Sequence, residues 1–130
     1  MIVADASVIL EVLLRTDDAP RVEARLFAPL ESLHAPHLLD VEVAQVLRRY
    51  AARGELVPTR GWAALELLSR FPITRYPHAP LLPRIWALRA NLTAYDAAYV
   101  ALAEGLGATL LTRDERVASA PGHRARVEVV

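Results

Sequence analysis

Short apolar runs alternate with helical patterns along this chain, and this alternation limits the folds available to it. Five runs have the length and composition of buried strands, and they lie at residues 1–4, 32–35, 73–76, 108–112 and 126–130. Segments with apolar residues at helical spacing separate successive runs, so neighbouring runs cannot pair as hairpins. The pattern predicts an α/β fold with a mainly parallel central sheet of about five strands and helices on both faces.

Capping residues, glycine and proline delimit the predicted helices. Asp18 precedes a helix with proline in its first turn, and Thr59 precedes the helical pattern at 60–71. Gly54 and Pro72 end the two patterns that precede them. We therefore predict helices at residues 7–14, 18–27, 38–53, 60–71, 83–91, 93–105 and 113–118.

Length and composition predict the organisation and location of the protein. A chain of 130 residues fits a single domain, which we expect to span residues 1–130. No stretch approaches the roughly 20 apolar residues of a membrane span, and the N-terminus lacks the basic segment of a signal peptide. Cysteine is absent, which excludes disulfides and thiolate chemistry. We expect a cytoplasmic protein without a membrane segment.

Hydrophobic content and charge bear on the binding partners. Hydrophobic residues make up 54% of the chain, so we expect some apolar surface to be covered by a partner. The formal net charge is +0, which gives no general attraction for nucleic acid. All 15 cationic residues are arginine, whose planar fork suits phosphate. Genomic base composition explains the same bias, and both explanations stay open.

Four acidic residues from distant segments are predicted to meet at one edge of the sheet. Asp5 and Asp114 each follow an apolar run and precede a helical pattern. Asp96 and Glu42 lie in the first turns of two other helical patterns. Ligands of α/β proteins bind at the carboxyl ends of the strands, where such residues lie. Clustered carboxylates repel one another unless a cation lies between them, and Mg²⁺ or Mn²⁺ prefers oxygen ligands. The four acids predict a metal site.

Each acid also has a structural explanation. Asp5 is a favoured residue for capping the following helix, and Glu42 lies about 80° from the centre of the apolar helix face, as a solvated residue does. Thr93 with Asp96 forms one capping-box pattern. A second such pattern is formed by Thr112 and Glu115, and the helix dipole would then favour Asp114 in the first turn. Capping and metal binding are compatible, because a helix N-terminus keeps a carboxylate ionised.

Missing motifs narrow the chemistry further. The chain has neither the glycine-rich loop with lysine of nucleotide hydrolases nor a GxGxxG dinucleotide motif. Ser7 is not part of a GxSxG nucleophile motif. The histidines show no metal-ligand spacing, and we expect surface or loop positions for His34, His37, His78 and His123. Metal chemistry at carboxylates remains, and its commonest use is phosphoryl transfer or phosphodiester hydrolysis.

Three segments resemble the PIN domain, and specifically the VapC toxins of toxin–antitoxin pairs. They are VADASVILEVLL, APHLLDVEVAQVLRRY and NLTAYDAAYVALAEGLGATLLTRDERVA. The resemblance covers nearly the whole chain in the same order, and it is least specific between Tyr50 and Asn91. It implies the PIN-like three-layer α/β/α fold. It also implies an endoribonuclease that cleaves a particular RNA, forms a homodimer and is inhibited by a cognate VapB-type antitoxin.

The resemblance also assigns roles to individual residues. In this family the matching acids surround one or two Mg²⁺ or Mn²⁺ ions; here they are Asp5, Glu42, Asp96 and Asp114. Matching hydroxyl groups support the acids, and here they belong to Ser7 and Thr112. We expect Asp5 and Asp96 to bind the metal directly. Glu42 and Asp114 would bind it through water, orient the attacking water or act as base.

Other functions stay open on the sequence. Arg113 and Arg116, beside the last acid, are candidate phosphate contacts, although arginine on a short helix is often simply solvated. The chain could be a PIN-type nuclease that processes RNA or cuts structured DNA outside a toxin–antitoxin pair, which an antitoxin reading frame next to its gene would argue against. It could also be a non-catalytic α/β binding module whose acids only cap helices. Metal titration separates this case, because helix caps need no cation.

Overall fold

One sheet of five parallel strands forms the centre of the molecule, which a computed structural model describes over residues 1–130. The strands are β1 (Ile2–Ala4), β2 (Leu33–Pro36), β3 (Ile73–Tyr76), β4 (Thr109–Thr112) and β5 (Arg126–Val129). They lie in the order β3-β2-β1-β4-β5, and every neighbouring pair is parallel. The sequence prediction of a parallel α/β fold with strands at these five places is confirmed.

Seven α-helices connect the strands. They are α1 (Ala6–Leu13), α2 (Ala19–Leu26), α3 (Leu38–Ala52), α4 (Pro58–Arg70), α5 (Leu82–Ala87), α6 (Ala94–Leu106) and α7 (Glu115–Ser119). A short 3-10 helix at Ala79–Leu81 precedes α5. None of the helices combines the length and apolar character that crossing a membrane requires.

Side chains of the strands alternate between two separate cores. On β1, Ile2 and Ala4 pack with residues of α1, α2, α3 and α4. Val3, between them, packs with residues of α6 and α7 on the other face. All three side chains are completely buried. Because successive residues of a strand point to opposite faces, helices cover both faces and the fold has three layers.

The register of the strands brings the start of α1 next to the end of β4. Ala4 is paired with Leu111, and the backbone N–H of Asp5 donates to the carbonyl oxygen of Leu111 at 3.1 Å. The residues that follow β1 and β4 therefore lie side by side at the carboxyl edge of the sheet. Helix α3 follows β2 and starts at the same edge.

Several predicted helix ends were wrong by a few residues. Helix α4 begins at Pro58, with Val57 rather than Thr59 at the N-cap, because proline has no N–H to leave unpaired in the first turn. Helix α5 ends at Ala87, since the chain continues to Leu92 in separate hydrogen-bonded turns. Helix α7 begins at Glu115, two residues later than predicted.

The prediction for His34 was also wrong. This residue lies in β2 and is only 8% exposed. The polar ring can be buried because both of its nitrogens have hydrogen-bond partners inside the protein. Nε2 lies 2.8 Å from the Ser32 hydroxyl, and Nδ1 lies 2.7 Å from the Tyr76 hydroxyl. Burial lowers the pKa of His34, which favours the neutral ring. The other three histidines are exposed or partly exposed, as predicted.

Candidate active site

An open cleft lies at the carboxyl edge of the sheet, where β1, β4 and the first turns of α3 meet. Its volume is about 740 Å³. Three of the four predicted acids line it, namely Asp5, Glu42 and Asp114. Asp96 lies beside them, close enough that its charge and theirs affect one another. The fold therefore brings together four acids that lie up to 109 residues apart in the sequence.

Two hydroxyl groups hold the Asp5 carboxylate. The side chain of Thr112, at the end of β4, donates to Asp5 Oδ2 at 2.6 Å, and that of Ser7 donates to the same oxygen at 3.1 Å. Asp5 occupies the N-cap position of α1 but makes no side-chain capping bond. Its carboxylate is thus directed to the edge of β4 rather than to the helix, which the capping explanation does not account for.

Glu42 projects from α3 into the cleft and has one hydrogen-bond partner in the protein. The buried hydroxyl group of Tyr99, on α6, donates to Glu42 Oε1 at 2.6 Å. Burial raises the pKa of Glu42, and the charges of Asp5 and Asp96 raise it further, while the bond from Tyr99 acts in the opposite direction. The alternative in which Glu42 is simply a solvated helix residue is therefore wrong.

Asp96 lies in the first turn of α6, where capping and charge clustering coexist. Its backbone N–H donates to the side chain of Thr93, the N-cap residue, at 3.1 Å. The predicted capping by Thr93 is thus confirmed. The Asp96 side chain is half-buried, and burial raises its pKa, followed by the negative charge of Asp5. No arginine pairs directly with this carboxylate.

Asp114 differs from the other acids because its negative charge is paired with the guanidinium of Arg116. Its Oδ1 accepts the backbone N–H of Arg116 at 2.9 Å and thereby caps α7. The guanidinium of Arg116 also donates to both carboxylate oxygens, at 3.1 and 2.9 Å. These bonds lower the pKa of Asp114. The predicted capping box of Thr112 and Glu115 was wrong, because the hydroxyl of Thr112 accepts the backbone N–H of Asp114, at 3.1 Å, and donates to Asp5.

The two arginines near the cleft differ in their freedom to bind a phosphate. Arg113 forms ion pairs within the protein, with Asp18 at 2.8 Å and with Glu11 at 3.6 Å. The Arg116 side chain is 91% exposed and bonded only to Asp114. Of the two predicted phosphate contacts, Arg116 is therefore the more accessible.

Asp40 and Glu42 lie two positions apart on α3 and face different surroundings. The Arg75 guanidinium donates to both oxygens of Asp40, at 2.7 and 2.9 Å. Asp40 is absent from the residues that line the cleft, whereas Glu42 is among them. This separation follows from helix geometry, in which positions two apart differ by about 200°.

The donor atoms at the cleft fit a hard divalent cation. In this conformation no three of the chain's carboxylate and imidazole groups lie close enough to hold one ion together. Mg²⁺, however, keeps several waters and needs only one or two carboxylates. Glu42 and Asp96 have raised pKa values and no cationic partner, so negative charge accumulates here without full compensation. A divalent cation bound here would supply that compensation.

Sequence reasoning missed Tyr99, the one hydrogen-bond partner of Glu42. Tyr99 lies three positions after Asp96 on α6, and residues at this spacing lie on the same helix face. The prediction that Asp96 faces the cleft therefore also indicates that Tyr99, one turn later on α6, lies beside Asp96. Only the pairing with Glu42 across 57 residues had no signal in the sequence.

Comparison with known proteins gives matches along the whole chain. The family described as PIN domain matches residues 2–122. A protein of Mycobacterium bovis named VapC ribonuclease Mb0985 is 45% identical over 130 residues, which is 100% of this chain and 98% of the relative. Ribonuclease VapC12 of Mycobacterium tuberculosis is 40% identical over 130 residues, which is 100% of this chain and 99% of the relative.

Solved structures match the fold as well. The VapBC2 structure from Rickettsia felis, bound to a DNA fragment from its promoter, contains a chain with a TM-score of 0.74 and 13% identity, covering 99% of this chain and 98% of that one. VapC20 of Mycobacterium tuberculosis, described as a sarcin-ricin loop cleaving toxin, has a TM-score of 0.64 and 16% identity, covering 85% of this chain and 87% of that one. At these identities the likeness concerns the fold alone. The PIN domain match over residues 2–122 and the full-length relatives at 40% and 45% identity show that this chain belongs to the PIN domain family and, within it, to the VapC ribonucleases.

Proposed function

We propose that this protein is a Mg²⁺-dependent endoribonuclease, with Mn²⁺ as an alternative ion, and that it acts as the toxin of a toxin–antitoxin pair. The observation that carries this proposal is the group of four carboxylates around the open cleft, of which two have raised pKa values and no cationic partner. Acids that serve only as helix caps would not need to gather in this way. The VapC ribonucleases that match the full chain support RNA as the substrate.

The four acids differ in the part we assign to them. Asp5 and Asp96 are the proposed direct ligands, since Asp5 is fixed by two hydroxyl groups and its charge acts on Asp96. Glu42 and Asp114 are the proposed ligands through water. A bound divalent ion lowers the pKa of a water molecule and offsets the negative charge that develops on the phosphate oxygens.

The protein's own side chains position the reacting groups. Glu42 has one oxygen without a hydrogen bond in the protein, so it can accept a hydrogen bond, and then a proton, from a water molecule in the cleft. Asp114 can do the same when Arg116 leaves it. Arg116, with its exposed guanidinium, is suited to pair with a phosphate of the RNA. Attack by the water oxygen then forms a new bond to phosphorus and breaks the bond from phosphorus to one ribose oxygen, which leaves and takes up a proton.

The proposed partners are an RNA substrate, a VapB-type antitoxin and a second copy of this chain. The Rickettsia felis match is the structure of a VapBC2 complex, which supports an antitoxin partner. Large apolar side chains remain exposed outside the cleft, among them Trp62, Leu82 and Trp86. A protein partner covering them would remove apolar surface from water. We further propose that residues 1–130 form one domain and that the protein works in the cytoplasm.

Mapping of RNA 5′ ends in cells tests the proposed function. Brief expression of the wild-type protein should create new ends at a limited set of positions, whereas Asp96→Asn should create none. The cap of α6 is the bond from the backbone N–H of residue 96 to the Thr93 side chain, which the substitution keeps, so this variant should fold. Asp40→Asn serves as a matched control and should produce the wild-type ends. Identical new ends in the wild type and in Asp96→Asn would overturn the proposal, and so would their absence in the wild type.

A further inference from the structure

A single hydrogen bond connects the two helical layers at the cleft. The side chain of Tyr99 on α6 donates to Glu42 on α3 at 2.6 Å. The buried residues of α3 belong to the core on one face of the sheet, while Tyr99 belongs to the core on the other face. Tyr99 is 2% exposed, so packing fixes its position. The hydrogen bond from its hydroxyl group therefore restricts the position of the Glu42 carboxylate.

The direction of this bond follows from the chemistry of the two groups. An ionised carboxylate has no proton to give, so the phenol must be the donor. The bond engages Oε1 of Glu42, and Oε2 has no hydrogen bond within the protein. One carboxylate oxygen is thereby held by the protein, and the second stays available in the cleft.

Glu42 depends on this bond more than its neighbours depend on any one partner. Asp5 is held by two hydroxyl donors, and Asp114 by a backbone N–H and a guanidinium. Glu42 has a longer and more flexible side chain, with Tyr99 as its one donor. Loss of the Tyr99 hydroxyl would free the carboxylate to adopt other rotamers, at a cost in preorganisation.

We propose that Tyr99 is a positioning residue, whose hydroxyl group holds the Glu42 carboxylate in the orientation that serves the divalent ion and the attacking water. This inference rests on the proposed function. Packing alone does not explain the hydroxyl group, because phenylalanine would fill nearly the same volume in the core. Groups that orient metal ligands in this way typically change metal affinity or activity by about 10-fold to 100-fold when they are removed.

The test compares Tyr99→Phe with Tyr76→Phe. Tyr76 is a matched control, because its hydroxyl also has a buried partner, His34, at 2.7 Å, but lies outside the cleft. Calorimetric titration of the metal-free proteins with Mg²⁺ should show affinity reduced about 10-fold or more in Tyr99→Phe and unchanged in Tyr76→Phe. In RNA cleavage, kcat of Tyr99→Phe should fall while KM for RNA stays the same.

A double-mutant cycle shows whether Tyr99 acts through Glu42. In a Glu42→Ala background the further change Tyr99→Phe should leave Mg²⁺ affinity unchanged, because the hydroxyl no longer has a carboxylate to orient. A penalty of the same size in both backgrounds would overturn the inference. If Tyr99→Phe does not fold, Glu42→Asp replaces it, since a side chain shorter by one methylene group draws the carboxylate away from the Tyr99 hydroxyl. Wild-type Mg²⁺ affinity in Glu42→Asp would then overturn the inference.

The outcomes for this inference and for the proposed function are distinguishable. Wild-type Mg²⁺ affinity and kcat in folded Tyr99→Phe, beside a wild-type protein that binds the ion and cleaves RNA, would overturn the role of Tyr99 alone. A wild-type protein that neither binds Mg²⁺ nor cleaves RNA would overturn the proposed function, and the role of Tyr99 with it.

Discussion

Replacing Asp40 or Glu42 on α3 by its uncharged amide should have opposite effects on stability and on RNA cleavage. Asp40 and Glu42 are two positions apart, but Asp40 is paired with Arg75 while Glu42 faces the cleft and is bonded to Tyr99. We predict that Asp40→Asn lowers stability and leaves RNA cleavage unchanged. We predict that Glu42→Gln abolishes most cleavage without lowering the stability of the metal-free protein.

The expected loss of stability in Asp40→Asn follows from its ion pair. The Arg75 guanidinium makes two bonds to Asp40, at 2.7 and 2.9 Å, but the Asp40 side chain is 43% exposed. Solvent therefore screens the pair, and exposed pairs contribute about 0.2–1 kcal/mol. The two-bond geometry places this pair near 1 kcal/mol. For a chain of 130 residues the thermal midpoint should fall by about 4 °C.

We expect Glu42→Gln to lower the rate of RNA cleavage and not the stability of the protein. Glutamine can still accept the bond from Tyr99, and the substitution removes a negative charge that Asp5 and Asp96 disfavour. The metal-free protein should therefore be at least as stable as the wild type. Removal of one electrostatic contact to the transition state typically costs about 100-fold or more in kcat, and a loss of this size is expected here.

Both variants can be measured side by side with a fluorogenic RNA and by thermal unfolding in EDTA. Cleavage by Asp40→Asn should stay within about twofold of the wild-type rate, since a surface ion pair away from the cleft does not touch the reacting atoms. The reverse result, with folded Asp40→Asn inactive and Glu42→Gln active, would refute the assignment of Glu42 to the cleft.

Three further predictions concern the cluster and the assembly. Asp5→Asn and Asp96→Asn should each abolish RNA cleavage and growth inhibition together, and full activity of either folded variant would contradict the proposed site. The raised pKa values of Glu42 and Asp96 mean that ionisation disfavours the folded state. From the ordinary carboxyl pKa of about 4 upward, the two residues therefore lower the stability of the metal-free protein as pH rises. The thermal midpoint in EDTA should fall less with pH in Glu42→Gln than in the wild type, and an equal or steeper fall in the variant would argue against this cause. Light scattering at high micromolar concentration should give the mass of two chains, and the mass of one chain would count against the homodimer.

The sheet could be predicted from the sequence because its strands are short, apolar and separated by helical patterns. Parallel strands of this kind are buried on both faces, and the complete burial of Ile2, Val3 and Ala4 explains why their run is continuously apolar. The position of Asp5 next to β4 followed in the same way, because parallel strands bring their carboxyl ends to one edge. Local pattern and topology were sufficient for these features.

Helix ends were harder to predict because neighbouring residues offer competing starts. Thr59 is a favourable cap, but Pro58 fits the first turn, and the helix begins there. Thr112 matches a capping pattern, but its hydroxyl accepts the backbone N–H of Asp114 and donates to Asp5, and Asp114 caps α7 instead. The local fit of proline decided the start of α4, whereas at α7 the hydroxyl of Thr112 also contacts the distant residue Asp5.

The family resemblance predicted that the hydroxyl groups of Ser7 and Thr112 support the acids, and both are bonded to Asp5. The partner of Glu42 could not be predicted, since it depends on a contact between distant segments. Tyr99 and Glu42 are 57 residues apart and belong to different layers. The position of His34 was wrongly predicted for a similar reason, because one of its buried partners, Tyr76, is 42 residues away. Sequence patterns indicate which face a residue occupies, but not which polar group it meets there.

Parallel measurement of Mg²⁺ binding and RNA cleavage on the same metal-free protein connects the carboxylates to the reaction. Binding and cleavage should rise together as the ion is added, and both should be lost in Asp5→Asn and in Asp96→Asn. Cleavage that persists in EDTA, or that proceeds in a variant unable to bind the ion, would contradict a divalent-ion site formed by these carboxylates.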